Sequence, residues 1–152
     1  MEMSSSQLVP APQDKVWAAL NDPELLKACI PGCENIDAIG ENSYKIVMLA
    51  KVGPVRARFS GKMHLADMNA PDSYTLRFEG EGGMAGFAKG GAEVTLTPDG
   101  AGTLLTYVVK AQIGGKLAQI GSRLVDGAAK KTADDFFAAF VEKVGSQAAD
   151  AA

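Results

Sequence analysis

The chain has 152 residues, with 15 basic and 18 acidic side chains for a formal net charge of −3, and it is 47% hydrophobic and 7% aromatic, with 17 glycines. A chain of this length removes roughly two thirds of its unfolded surface from water, so one domain builds a core without disulfides or metal. Interspersed charges leave no basic stripe for nucleic acid, no apolar run approaches the roughly 18 residues of a membrane-spanning helix, and 2 cysteines with 1 histidine fall short of a zinc ligand set.

Met3 to Val9 reads as a strand, ended by Pro10 and Pro12. A helix is predicted over Gln13 to Leu20, where Val16, Trp17 and Leu20 share one face. Asn21-Asp22-Pro23 then supplies an N-cap and a first-turn proline for a second short helix, which Pro31-Gly32 stops. From Glu34 to Ile113 the period is two. Val55, Ala57, Phe59, Gly61, Met63 and Leu65 alternate with Arg56, Arg58, Ser60, Lys62 and His64. The runs about Tyr74 to Phe78 and Ala92 to Leu96 alternate in the same way, as antiparallel strands with one wet face do. Turn signals at Gly53-Pro54, Asn69 to Asp72, Gly82 to Gly86 and Pro98 to Gly100 divide the region into consecutive hairpins. Gly114-Gly115 ends the last strand. Helical period over Lys116 to about Val144 then places Leu117, Ile120, Leu124, Ala128, Ala133, Phe137, Phe140 and Val144 on one stripe. The expectation is a single α+β domain over residues 1–145 with a flexible tail at 146–152. A curved antiparallel sheet of about seven strands, wrapped around the long C-terminal helix and with two short helices after the first strand, lets the helix stripe and the sheet's apolar face bury each other.

Several segments of the chain carry a family resemblance. They are Val9-Pro10-Ala11-Pro12 with Val16-Trp17-Ala18-Ala19-Leu20-Asn21-Asp22-Pro23, then Cys29-Ile30-Pro31-Gly32-Cys33-Glu34, Val52-Gly53-Pro54-Val55, the glycine-rich Gly80 to Gly91, and Gly114-Gly115-Lys116-Leu117-Ala118-Gln119-Ile120-Gly121-Ser122-Arg123. Together they resemble the CoxG family of carbon monoxide dehydrogenase subunits, within the START-like helix-grip (SRPBCC) superfamily, over nearly the whole chain. The resemblance implies a helix-grip fold around an elongated apolar cavity that holds a hydrophobic small molecule, a quinone or a lipid. It also implies an accessory role, without enzyme activity or cofactor, in recruiting or maturing a molybdenum-containing carbon monoxide dehydrogenase or related hydroxylase at the inner membrane face. The alternative that the superfamily supports is an enzyme of the cyclase, dehydratase or hydrolase kind. The N-terminus lacks the basic and apolar regions of a signal peptide, so a cytoplasmic location is expected. Many family members carry a hydrophobic C-terminal extension; residues 145–152 do not match one, so membrane contact is expected to be at most peripheral. A homodimer is compatible with the sequence.

On the residues themselves, inward strand positions mix large apolar side chains (Phe59, Met63, Leu76, Phe78, Tyr107) with small ones (Ala57, Gly61, Gly80), and the helix adds Gly121, Gly127 and Ala128. Small side chains facing one another leave either close sheet-to-helix contact or a void. If the space is a cavity, its expected lining is Phe59, Met63, Leu76, Phe78, Tyr107, Leu117, Ile120, Gly121 and Leu124, gated at one end by Gly82, Gly83, Met84, Gly86 and Phe87. Tyr44, Tyr74 and Tyr107 are candidate polar handles, or packing tyrosines at strand ends. Strand parity turns His64 outward, away from catalytic work, and no Gly-x-Ser-x-Gly elbow is present. The glycines at 80–86 are followed by strand-like residues rather than a helix, and Leu117 stands where a P-loop needs Ser or Thr, so nucleotide chemistry is excluded. Cys29 and Cys33 are read as reduced thiols, with a packing role or at a turn closing one cavity end. Arg56, Arg58, Lys62 and Arg77, interleaved with Glu79 and Glu93, form either a solvated outer face or a docking surface for a partner enzyme.

Overall fold

Element boundaries follow the punctuation of the sequence. A computed structural model describes the backbone of residues 1–151 and the side chains of residues 1–145. Strand β1 (Glu2–Val9) leads into α1 (Gln13–Leu20) and α2 (Pro23–Cys29), and β2 (Cys33–Gly40), β3 (Ser43–Val52), β4 (Val55–Asn69) and β5 (Ser73–Glu81) follow as a meander. A 3-10 turn (Gly83–Ala85) precedes β6 (Phe87–Asp99) and β7 (Gly102–Gly114), and two helices close the chain, α3 (Lys116–Gln119) and α4 (Ser122–Ala151). Asp22 caps α2 by accepting from the Glu24 backbone N–H at 3.1 Å, with Pro23 at the first helical position. Gly32 adopts φ +72°, and a Cβ there would collide with the Leu49 carbonyl oxygen. Only glycine allows the turn after α2 to bring β2 against β3.

The seven strands form one antiparallel sheet in the order β1-β7-β6-β5-β4-β3-β2. Helix α4 touches both β1 and β3, which lie five strand spacings apart in that order. Five spacings are about 24 Å in a flat sheet, whereas a helix with its side chains is about 10 Å wide. The sheet therefore wraps around the helix, as expected from the stripe and the single apolar face.

The tight core occupies one end of this grip. Val9, Val16, Leu105, Phe140 and Val144 lose almost all contact with solvent there. Tyr107 stacks on Phe137 with ring centroids 5.1 Å apart, and Trp17 meets Tyr74 edge-on at 5.5 Å. The one buried polar side chain among the described residues, Thr103, donates its hydroxyl to the Ala11 carbonyl at 2.8 Å.

The terminal helical run departs from its sequence reading in one respect. Instead of one helix from Lys116, there are two, separated at Gly121, whose φ of +99° lies outside the helical region. The break resets the phase, so that Val125 is buried while Leu124, expected on the stripe, is 48% exposed. Helix α4 also continues beyond Val144; for the tail expected at 146–152, the side chains lie outside the described residues. No helix among the described residues is long and apolar enough to cross a membrane.

Candidate binding cleft

Strand β2 pairs with β3 only as far as Met48, after which the Leu49 N–H donates to the Gly32 carbonyl at 2.8 Å. The last residues of β3 lie beyond that edge pairing. Its inward positions Met48, Ala50 and Val52 line a cleft of about 480 Å³ together with Leu124, Gly127 and Ala128 of α4. Lys51, Arg123 and Lys131 stand around the same cleft, the last paired with Asp135 at 2.7 Å. On the other flank of α4, a cleft of about 260 Å³ is lined by Met3, Ser5, Tyr107, Ala129 and Lys130. The N-terminal half of α4 thus has open space on both sides, while Phe137, Phe140 and Val144 of its C-terminal half are embedded in the core.

The inner face of the central strands is apolar and incompletely covered. Phe59, Met63, Leu76 and Phe78 point inward and remain only partly buried. Gly80 has no atom within 4 Å of where a Cβ would sit. Not every glycine leaves room in this way. A Cβ at Gly61 or Gly90 would strike a carbonyl oxygen of the neighbouring strand, and one at Gly82 would come within 2.6 Å of the Phe59 ring. Those glycines permit close approach. The inward positions of β3 to β6 carry no carboxylate, ammonium, guanidinium or imidazole. Their polar groups are phenols. Tyr74 is buried beside Trp17, burial pushes its phenol far above the usual tyrosine range, and its hydroxyl bonds to no described residue. Such a wall suits an apolar guest with few directional contacts.

The remaining sequence-derived residues fall in distinct places. Tyr107 is in the core and also reaches the smaller cleft. Leu117 is buried, Ile120 is half-buried, and Gly121 is exposed at the helix break. A Cβ on Gly53, at the tip of the β3–β4 hairpin, would lie 3.3 Å from Leu124 Cδ1 and 4.0 Å from Ile120 Cδ1, so those two side chains sit over the hairpin tip. In the expected gate, Met84 is 81% exposed at the crest of the 3-10 turn beside Gly83, which has no near neighbour. The base of the turn is tight: a Cβ on Gly115 would come within 2.5 Å of Gly86 Cα. Register places Phe87 on the outer face, where its ring covers Gly114 and Lys89 Nζ lies 5.9 Å from the ring centroid. His64 also faces outward, with Nδ1 2.7 Å from Ser43 Oγ. Cys29 is buried and Cys33 half-buried, and desolvation raises both thiols above their ordinary range.

Met48, Ala50 and Val52 were not among the expected lining. The alternation in β3 is blurred because Val47 and Leu49, on the outer face, are apolar too.

The model of the CoxG family of carbon monoxide dehydrogenase subunits matches residues 6–145. A comparison with curated proteins finds no match. Among solved structures, a conserved protein from Geobacillus kaustophilus is similar at 33% identity and a TM-score of 0.91, with 96% of each chain covered. A START superfamily protein from Mycobacterium smegmatis shares the fold at 12% identity and a TM-score of 0.74, covering 96% of this chain and 98% of its own. The Zhui aromatase/cyclase from Streptomyces sp. R1128 does so at 12% identity and a TM-score of 0.66, covering 95% and 93%.

Proposed function

We propose, from the premise that the chain belongs to the CoxG family of carbon monoxide dehydrogenase subunits, that it is a non-enzymatic accessory protein holding a quinone or lipid between its sheet and the N-terminal half of α4. It serves a molybdenum-containing hydroxylase of the carbon monoxide dehydrogenase type, helping to recruit or mature that enzyme at the inner membrane face. The observations that carry this reading are the partly exposed apolar inner wall of Phe59, Met63, Leu76 and Phe78 and, separately, the open clefts on either side of α4. Burying about 200 Å² of an isoprenoid or acyl chain there gains about 5 kcal/mol at about 25 cal/mol per Å². The phenols of Tyr74 and Tyr107 are the polar groups available to a quinone carbonyl or a lipid head group. The Streptomyces neighbour is named as an aromatase/cyclase, but the inward positions of β3 to β6 here carry no carboxylate, amine or imidazole, which favours a carrier over an enzyme.

Organic extraction of the purified protein followed by mass spectrometry tests the reading. A quinone or lipid in the extract is expected, and several-fold less from Gly127→Leu, whose added side chain meets no neighbour within 4 Å of its Cβ and occupies the cleft. An extract with no organic guest, or equal retention by the variant, overturns it.

A further inference from the structure

A broad concavity lies on the outer face of the sheet, opposite the cleft. It is a trough of about 770 Å³ crossing the strands, from Ile39 on β2 to Met1 beside β1, and no residue of α4 lines it. Register explains its shape. One ridge is formed by outward side chains including His64, Arg77 and Lys110, the other by Lys62, Glu79 and Lys89, and the backbone between them is the floor. Gly91, between Arg77 and Lys110, leaves a gap in the first ridge.

Three observations give this trough a purpose beyond solvation. First, four consecutive strands, β4 to β7, each contribute a cation to it, in a chain whose net charge is −3. Second, Lys45 stands directly opposite Lys62 across β3 and β4, a like-charge pair that weakens a sheet. Third, the ion pairs among the described residues use Arg58, Lys130 and Lys131, while Lys62, Arg77, Lys89 and Lys110 join none, although Glu79 lies opposite both Lys62 and Lys89. Within the chain, Glu79 stands opposite Lys62 and Lys89 and Glu2 opposite Lys110, so four cations meet two carboxylates in the lining and an excess of positive charge faces outward.

We propose that the trough docks an acid-rich segment of a partner protein in extended conformation. The two ridges are two residues apart along each strand, about 7 Å, so the charges run in a narrow double row that a single extended chain can lie along, whereas the plane of a bilayer would meet only its crests. The span from β3 to β1 is about 24 Å, the length of roughly seven extended residues, and Ile39 and Met1 place apolar groups at its two ends. This surface is on the opposite side of the sheet from the proposed guest, so its test is independent of that reading.

A fluorescein-labelled octaglutamate peptide flanked by leucines, followed by fluorescence anisotropy at low ionic strength, tests the docking. Binding is expected for the native chain and for Lys15→Glu on the exposed face of α1, with affinity falling as salt rises. It is expected to drop at least tenfold in Lys62→Glu/Lys89→Glu. Should that variant fail to fold by circular dichroism, Lys62→Gln/Lys89→Gln replaces it, with a several-fold loss expected. Unchanged binding in the folded variant, equal binding of an oligolysine peptide, or capture by phosphatidylglycerol vesicles in place of the peptide overturns the proposal.

Discussion

Charged side chains on this sheet divide into those with partners inside the chain and those without. Arg58 belongs to the first group: its Nε lies 2.6 Å from Glu34 Oε1, reaching across β3. Hydrogen bonding to the guanidinium holds the Glu34 carboxyl below the usual carboxylate range. A carboxyl lowered on folding adds stability above its unfolded pKa and loses it as pH falls through the folded one. Because both side chains are solvent-exposed, the pair's contribution is small and shrinks with salt. Arg58→Ala is expected to return the Glu34 carboxyl to its ordinary titration, read by NMR of the side-chain carboxyl; an unmoved midpoint contradicts the assignment. The outward placement of Arg58 and His64 was legible from strand parity, because a period of two fixes each face once one residue is placed. Which cations would find a carboxylate was not legible, since Glu34 reaches Arg58 through a register shift in β2 between Cys33 and Asn35.

At the scale of elements, the strands and their turns could be read directly, while the terminal helix could not be read correctly in phase. A glycine inside a helical pattern costs only about 1 kcal/mol and usually leaves the helix intact, so sequence alone does not separate Gly121, which breaks it, from Gly127, which does not. Their conformations do separate them. Neither has an atom within 4 Å of a would-be Cβ, so substitution by alanine isolates the backbone contribution. Gly121→Ala, at φ +99°, is expected to lower stability by about 1–2 kcal/mol. Gly127→Ala, within α4, is expected to raise it by about 0.5–1 kcal/mol. Denaturant unfolding of the two variants checks this, and shifts of the same sign refute the division. The candidate cleft was only half legible for a related reason: its helix side depends on the phase set at Gly121, and its strand side lies on β3, where Leu49 is apolar yet 39% exposed.

In the whole molecule, the packing is polarised. Phe137, Phe140 and Val144 lock the far half of α4 among α1, α2 and the sheet, while the half beginning at Ser122 has a cleft on each side. The helix is in effect a cantilever, clamped at one end. Local opening of the free end disturbs few core contacts, whereas opening at Phe140 requires the domain to unfold. Amide exchange should therefore be graded along a single helix, fast near Val125 and approaching the global unfolding limit near Phe140, and uniform protection would contradict it. On the proposed reading, a helix supported this way lifts to admit a bulky chain and settles again on an intact foundation, so loading and release need no rearrangement of the core.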